Sequence, residues 1–412
     1  MATWIKRKLG DVVDINKNSI NKSYPYSDIE YVDISSVGTG KLEIAPHMSL
    51  ADAPSRAKRI VADGDTILST VRPNRRSFLH IKNPPVNRIV STGFAVLTPR
   101  EIDRKFLYYV ISQQDFTDYL SKNAKGAAYP AVDESIIARA EVLLPDLPTQ
   151  SRIASVLSAY DDLIENNEKR IKVLEEMAQL LYTEWFVRFK FPGHEKVRMV
   201  DSGTEYGMIP EGWEVKRLNG VTGLVRGRSY SSEQISDTEG EYYIVNLKSF
   251  NRGGGFRLDG AKYYSGPVND DQHLQPGDIV VAVTDMTNDR AVIARPARIP
   301  KISTHPVTFS ADVVKIIAGK LPSSFIYYCL LDHRFTEATK HKANGANVLH
   351  LKPSAISEYR ALIPSDELLE KFDVLCKPTF AMIDRAMAQT AVLEKMRDLL
   401  IPQLVTGKRE LK

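Results

Sequence analysis

Cysteine is almost missing from this 412-residue chain, which has only Cys329 and Cys376. Two cysteines make no disulfide framework, and these two show no metal-ligand spacing. Long apolar runs are missing as well: a run such as Leu399-Leu400-Ile401 falls far short of the ~20 residues of a membrane span. The N-terminal Met-Ala-Thr-Trp-Ile-Lys-Arg-Lys lacks the apolar stretch of a secretory signal, so no membrane contact and a cytoplasmic location are expected. The eight histidines show no His-Glu-x-x-His type of spacing, and His333 and His341 read as surface residues. No metal site is expected. No glycine-rich loop opens a βαβ unit to hold a nucleotide cofactor. Val37-Gly38-Thr39-Gly40-Lys41 lacks the first glycine and the trailing Ser/Thr of a phosphate loop, and reads as a hairpin turn. No Ser, Cys or carboxylate stands out as a nucleophile. Catalysis by this chain alone is therefore not expected.

A soluble, folded protein is present instead. Hydrophobic residues make up 43% and charged residues 26%, an ordinary globular balance. The length calls for two or more domains. The net charge is only +4, but it is unevenly placed: the excess is +4 over residues 1–145 and +2 over residues 191–363. Arg56-Lys58-Arg59 and Arg72-Arg75-Arg76 are local clusters suited to phosphate contacts.

The chain is written twice. Trp4-Ile5-Lys6-Arg7-Lys8-Leu9 matches Trp213-Glu214-Val215-Lys216-Arg217-Leu218, and Gly64-Asp65-Thr66-Ile67-Leu68 matches Gly277-Asp278-Ile279-Val280-Val281. Phe106-Leu107-Tyr108-Tyr109 then matches Phe325-Ile326-Tyr327-Tyr328, and Val173-Leu174-Glu175 matches Val392-Leu393-Glu394. The offset grows from 209 to 213 and then holds at 219, so insertions are confined to the early part of each unit. Each unit begins with short alternating runs such as Asp278-Ile279-Val280-Val281-Ala282-Val283, read as strands, with a helix near the Phe-x-Tyr-Tyr segment. It ends in a helix.

Apolar positions recur at alternating spacings of three and four through Leu157, Tyr160, Ile164, Asn167, Ile171, Leu174, Ala178, Leu181 and Trp185. That is a coiled-coil seam with one polar member. The second copy gives a weaker seam through Ile383, Ala386, Thr390, Leu393, Leu400 and Leu404, in which Arg397 is out of place. Pro378 predicts a break in the second helix. Ser158-x-x-Asp161, resembling a capping box, predicts the matching break in the first, with the long helix starting at about residue 159. Asn167 suits a register-fixing role or a partner contact.

The expected fold is α+β. Two similar globular domains stand in tandem, each followed by a long helix. If the helices pair antiparallel as a coiled coil, a pseudo-two-fold axis relates the domains, as in dimeric DNA binders. The expected divisions are 1–145, 146–190 (helical), 191–363 and 364–412 (helical).

Leu144-Pro145-Asp146-Leu147-Pro148-Thr149-Gln150-Ser151-Arg152-Ile153 resembles the helix-opening motif of the specificity subunits of Type I restriction–modification systems. Trp185-Phe186-Val187-Arg188-Phe189 and Gly207-Met208-Ile209-Pro210-Glu211-Gly212-Trp213 resemble that family's central linker. Gln403-Leu404-Val405-Thr406-Gly407-Lys408 resembles the end of its distal helix. Thr149 replaces a common Glu, and the second copy, Ile363-Pro364-Ser365-Asp366-Glu367, lacks the Gln motif. There Ser365 remains a good N-cap. The resemblance implies two target recognition domains on double-stranded DNA. It also implies helices that dock two methyltransferase (M) subunits, through which restriction (R) subunits join. S-adenosylmethionine would be held by the methyltransferase partner, with no cofactor on this chain. Ile164, Asn167, Ile171, Leu174, Leu181, Ile383, Leu393 and Leu400 are the candidates for helix pairing and partner docking.

Asn83-Pro84-Pro85-Val86 resembles the Asn-Pro-Pro-aromatic motif of amino-methyltransferases, but Val86 offers no ring to stack on a flipped base, and a turn is the better reading. For reading DNA, the loops after the Gly-Asp strands stand out. Arg72-Pro73-Asn74-Arg75-Arg76 aligns with Asp285-Met286-Thr287-Asn288-Asp289-Arg290. Arg suits guanine, Asn suits adenine, and Asp can accept from cytosine. The candidates are Arg72, Asn74, Arg75, Arg76, Thr287, Asn288 and Arg290. A second loop pair, Gly126-Ala127-Ala128-Tyr129 and Gly345-Ala346-Asn347-Val348, adds Tyr129 and Asn347. Its glycines would let phosphates approach the backbone. Lys41, Lys248 and Arg252 are candidate phosphate contacts. Two other classes fit less well: a self-contained adenine methyltransferase, which lacks its cofactor loop, and a DNA-free adaptor, which leaves the basic excess unexplained.

Overall fold

The computed structural model describes residues 3–286, 290–301, 305–345 and 348–411. Contacts divide the chain into two units, Met1–Glu165 with Val392–Lys412, and Asn166–Ala391. Both divisions fall inside a long helix.

In the first unit β1 (Ile5–Lys8) pairs antiparallel with β10 (Glu141–Leu144), strands far apart in sequence. Between them one sheet has the order β2 (Val13–Ile15), β9 (Phe94–Pro99), β6 (Thr66–Ser69), β7 (Phe78–His80). A second has the order β4 (His47–Ser49), β3 (Asp28–Val32), β8 (Arg88–Ser91), β5 (Ala57–Ile60), with β3 and β8 parallel. Strand β6 is buried throughout, as suits a strand flanked on both sides and covered on both faces. Its start is fixed by the Gly64-Asp65 turn, where Asp65 accepts from the Ala62 amide at 2.8 Å. Helices α1 (Arg104–Ser112), α2 (Gln114–Asn123) and α3 (Glu134–Arg139) follow. Asp103 caps α1 by accepting from the Lys105 and Phe106 amides.

The second unit repeats the pattern. A short hairpin, β11 (Met199–Asp201) with β12 (Met208–Pro210), precedes it. Then β13 (Glu214–Arg217) closes against β24 (Arg360–Ile363) as β1 does against β10. One sheet runs β14 (Gly223–Arg226), β22 (Val313–Ile317), β18 (Ile279–Ala282), β20 (Pro296–Arg298), and the other runs β15 (Ile235–Ser236), β17 (Lys262–Tyr264), β16 (Tyr242–Val245), β21 (Val307–Phe309). The parallel pair recurs as β16 and β21. The short strands β19 (Thr284–Asp285) and β23 (Leu349–His350) pair with each other. Helices α5 (Ser323–Leu331), α6 (His333–Lys340) and α7 (Ser354–Ser357) stand where α1, α2 and α3 stand in the first unit. Asp278 makes the same turn as Asp65, accepting from the Gln275 amide at 2.7 Å.

Each unit feeds directly into a long helix, α4 (Leu147–Tyr182) and α8 (Asp366–Val405). Asp146 caps α4 by accepting from the Thr149 amide at 2.8 Å. Gln150 of the family-like motif is buried, donating to the Pro145 carbonyl and accepting from the Asp103 amide, each at 2.9 Å. It ties the start of α4 to the cap of α1. The matching position in α8 is Leu369, also buried. Ser365 takes the N-cap place, its carbonyl accepting from the Leu368 and Leu369 amides.

The expected helix breaks are absent. Ser158 lies inside α4, and Asp161 accepts from Tyr109 and Arg397 rather than capping anything. Pro378 lies inside α8. Its ring is on the exposed face, so the Val374 carbonyl that loses its donor is on the side open to water. A proline inside a helix costs about 3 kcal/mol. Burial of Phe372, Cys376, Phe380 and Ile383 on the opposite face offsets it. Helix α4 passes into a π-helical turn over Thr183–Val187, where Trp185 and Phe186 are buried. Ile164, Asn167 and Ile383 are buried, while Ile171, Leu174, Leu181, Leu393 and Leu400 are half-buried. Among the described residues, no helix is long and apolar enough to cross a membrane.

Candidate nucleic-acid interface

Loop chemistry converges at one end of each domain. In the first unit a single 3-10 turn, Pro73–Arg75, joins β6 to β7. It is bracketed by two left-handed residues, Arg72 at φ 50° and Arg76 at φ 55°. Such backbone costs on the order of 1–3 kcal/mol for each non-glycine residue and persists only where the surroundings enforce it. The Arg72 amide donates to the Pro130 carbonyl at 2.7 Å. Its guanidinium donates to the Ala128 carbonyl at 3.2 Å and lies 4.6 Å from the centre of the Tyr129 ring. Tyr129 is 70% exposed, so one face of that ring stays open. Asn74 and Arg75 project from the turn and are exposed.

Arg76 has a different task. It donates to the Ser112 carbonyl at 2.6 Å and to Gln114, pinning the loop to the junction of α1 and α2. Its donors are thus engaged within the protein. Lys41 stays exposed, its ammonium 3.7 Å from Glu394 of α8. Thr39 of the same hairpin donates to the Arg76 carbonyl. Val37 bridges Leu42 there, as the hairpin reading requires. Asn83–Val86 forms the loop between β7 and β8, with Val86 75% exposed.

The second unit aligns differently from the sequence expectation. Ser69 bonds to Ser77 just as Ala282 bonds to Arg295. That pairing sets Arg290 opposite Arg72 and Ala294 opposite Arg76. The backbone agrees, because Arg290 (φ 54°) and Ala294 (φ 60°) are the left-handed pair. The segment ahead of Arg290 is therefore the longer one. Asp285 is buried, accepting from the Val292 and Ile293 amides at 2.8 and 3.0 Å, and is not available to a base. Arg290 donates to the Lys340 carbonyl at 3.2 Å. Thr287, Asn288 and Asn347 lie outside the described residues. Lys248 and Arg252 are exposed.

The glycines of the second loop pair serve the turn itself. Gly126 has φ 102° and Gly345 φ 144°, and a Cβ would stand 3.0 Å from the Tyr129 carbonyl oxygen and 1.8 Å from that of Val348. The need for glycine is thus met within the protein.

Comparison with known proteins fits this arrangement. Residues 1–176 match the Type I restriction modification DNA specificity domain. The chain is 27% identical over 352 residues to the Type I restriction enzyme MjaIX specificity subunit of Methanocaldococcus jannaschii, covering 83% of this chain and 77% of that one. It is 22% identical to the Type I restriction enzyme HindI specificity subunit of Haemophilus influenzae, covering 99% of this chain and 100% of the other. Over residues 1–176 the chain matches a DNA specificity domain of Type I restriction modification systems, and over most of its length it is similar to specificity subunits of such systems. Its fold agrees with the crystal structure of a Type I restriction–modification S subunit from M. genitalium, at a TM-score of 0.55 and 15% identity, over 100% of this chain and 97% of that one.

Two basic residues escaped the sequence reading. Lys125 pairs through its backbone with Ala131, which in turn bridges Val71 beside Arg72. Lys122 ends α2 one turn earlier. Both are exposed, and the signal was Lys-x-x-Lys directly before Gly126. The matching positions in the second unit are His341 and Asn344.

Proposed function

We propose that the chain is the target-reading subunit of a Type I restriction–modification complex, with each unit reading one half of a bipartite, asymmetric duplex target. One observation carries this reading. The same scaffold, with the same left-handed arginine, presents exposed Asn74, Arg75 and Lys125 in one unit, and half-buried Ala291 and Val292 with exposed Asn344 in the other. Two heads of one origin with different contact chemistry suit two different half-sites.

The helices are proposed to pair as an antiparallel coiled coil with pseudo-two-fold symmetry. In support, Arg152 donates to the Leu411 carbonyl and Asp161 pairs with Arg397 in the first unit, while Tyr182 and Trp185 meet Phe372 in the second. The helices also carry exposed apolar residues in matched pairs, all 219 apart: Val156 with Leu375, Leu163 with Met382, Val173 with Val392, Met177 with Met396 and Leu180 with Leu399. Apolar residues left open at equivalent positions in both units suit two copies of one partner. That partner is proposed to be the methyltransferase subunit, which holds S-adenosylmethionine and recruits restriction subunits, while this chain catalyses nothing.

Met177→Glu and Met396→Glu test the docking. Native mass spectrometry of each variant with the methyltransferase subunit should give a complex with one copy instead of two, and the double variant none. Two copies on both single variants would sink the docking reading.

A further inference from the structure

Because positions match across the duplication at a fixed offset of 219, the two helix ends can be compared side chain by side chain. In the first unit α8 offers Arg397, Ile401, Leu404 and Val405. In the second, α4 and its π turn offer Ala178, Tyr182, Trp185 and Phe186 at the same places. Ile401, Leu404 and Val405 of the first set pack in one core with Phe106, Tyr109 and Ile153. The second packs in another with Phe325, Tyr328 and Phe372, their exact counterparts in position.

The two cores are filled in different ways. Ile153, Ile401, Leu404 and Val405 make the first aliphatic at this point. In the second, the Phe372 ring lies 6.1 Å from Tyr182, 6.1 Å from Trp185 and 5.0 Å from Phe186. Charge differs as well. Arg397 pairs with Asp161 at 2.8 Å, and the Tyr109 hydroxyl donates to the same carboxylate. The matching residues are Ala178, Phe380 and Tyr328, where the Phe380 and Tyr328 rings stack 5.9 Å apart at an interplanar angle of 6°.

Exchanging the ends would force Trp185 and Phe186 into space shaped by Leu404 and Val405. It would also leave Asp161 without its guanidinium. Overpacking and an unpaired, largely buried carboxylate are both destabilising. The reverse exchange would leave voids around Phe372 and set Arg397 against the Phe380 ring, where no carboxylate stands at the matching position.

We infer that each recognition unit is keyed by volume and charge to its own helix end, so that a half of this chain pairs with the unlike half, in its own chain or another copy, and rejects a like one. A pair of like halves would read two copies of one half-site. Keyed ends hold the protein to one of each, a consequence that rests on the two-headed reading above, whereas the keying itself does not.

The test uses the full-length chain without DNA. One variant carries the aromatic end in the first unit: Arg397→Ala, Ile401→Tyr, Leu404→Trp and Val405→Phe together. Hydrogen exchange should quicken by about tenfold or more in residues 1–165 and 392–412 only, with the second unit keeping its protection. Arg397→Ala alone should lower the melting temperature by roughly 2–6 °C. Adding Asp161→Phe, which completes the second unit's pair, should recover at least half of that loss. If the four-residue variant aggregates, this milder pair decides. Unchanged melting in Arg397→Ala, or no recovery on adding Asp161→Phe, would overturn the keying. Failure to bind DNA with the keying pattern intact would sink the two-headed reading and leave the keying standing.

Discussion

The guanidinium of Arg72 lies 4.6 Å from the centre of the Tyr129 ring and donates to the Ala128 carbonyl, joining two loops from distant parts of the first unit. A left-handed arginine is costly to hold, and on the proposed reading this arginine and the exposed ring beside it contact DNA. Tyr129→Ala and Arg72→Ala should therefore each weaken recognition of the same half-site by about 1–3 kcal/mol. Binding isotherms on targets altered in one half-site at a time check this. Effects on different half-sites would separate the two loops.

Arg75→Ala and Arg290→Ala should relax specificity at one half-site each, and at opposite ones. The salt dependence of binding tells base from phosphate contact. A uniform loss across all sequences, with the salt slope reduced by about one, marks a phosphate contact instead.

Glu175 and Glu394 are matching residues with different surroundings. Glu394 lies 3.7 Å from the Lys41 ammonium, whereas burial pushes the Glu175 carboxyl from 4.5 up to about 7. The folded state then holds its proton up to about pH 7, while the unfolded chain releases it near 4.5. Its contribution is most favourable at low pH and is lost as pH rises through that window. Glu175→Gln should raise stability at pH 8 by about 1–3 kcal/mol and leave it unchanged at pH 4. Denaturant melts at both pH values measure this, and equal stability at pH 8 contradicts it.

The duplication was legible in the sequence because helical segments tolerate no insertions, so the offset stays fixed through α1 to α4 and α5 to α8. Ile164 and Ile383, at the same offset, are both buried. Pro378 misled because the cost of a proline depends on which face it occupies, and one opposing apolar face outweighs it. Arg397 looked misplaced because its partner Asp161 is 236 residues away. The reading loops were the least legible. An extra segment before Arg290 shifted the alignment, and only the backbone hydrogen bonds to Ser77 and Arg295 restored it. Arg76 resembles its neighbours by residue type, and only the structure shows its anchoring to the Ser112 carbonyl.

On the proposed pairing, the helices also act as a spacer. Inserting four residues after Ile171 and four after Thr390 lengthens them by about 6 Å, a shift in phase that a coiled coil absorbs as a stutter. The recognised spacer should grow by about one or two base pairs, with the half-site bases unchanged. Altered half-site bases would mean that the helices help to read sequence.

Mapping methylated adenines in a host genome with and without this gene, its methyltransferase partner present in both, tests the central claim most directly. The account predicts methylation that depends on the gene and falls at one bipartite motif, with two different half-sites, a fixed spacer and one adenine on each strand. A single contiguous palindrome, or two copies of one half-site, would contradict it.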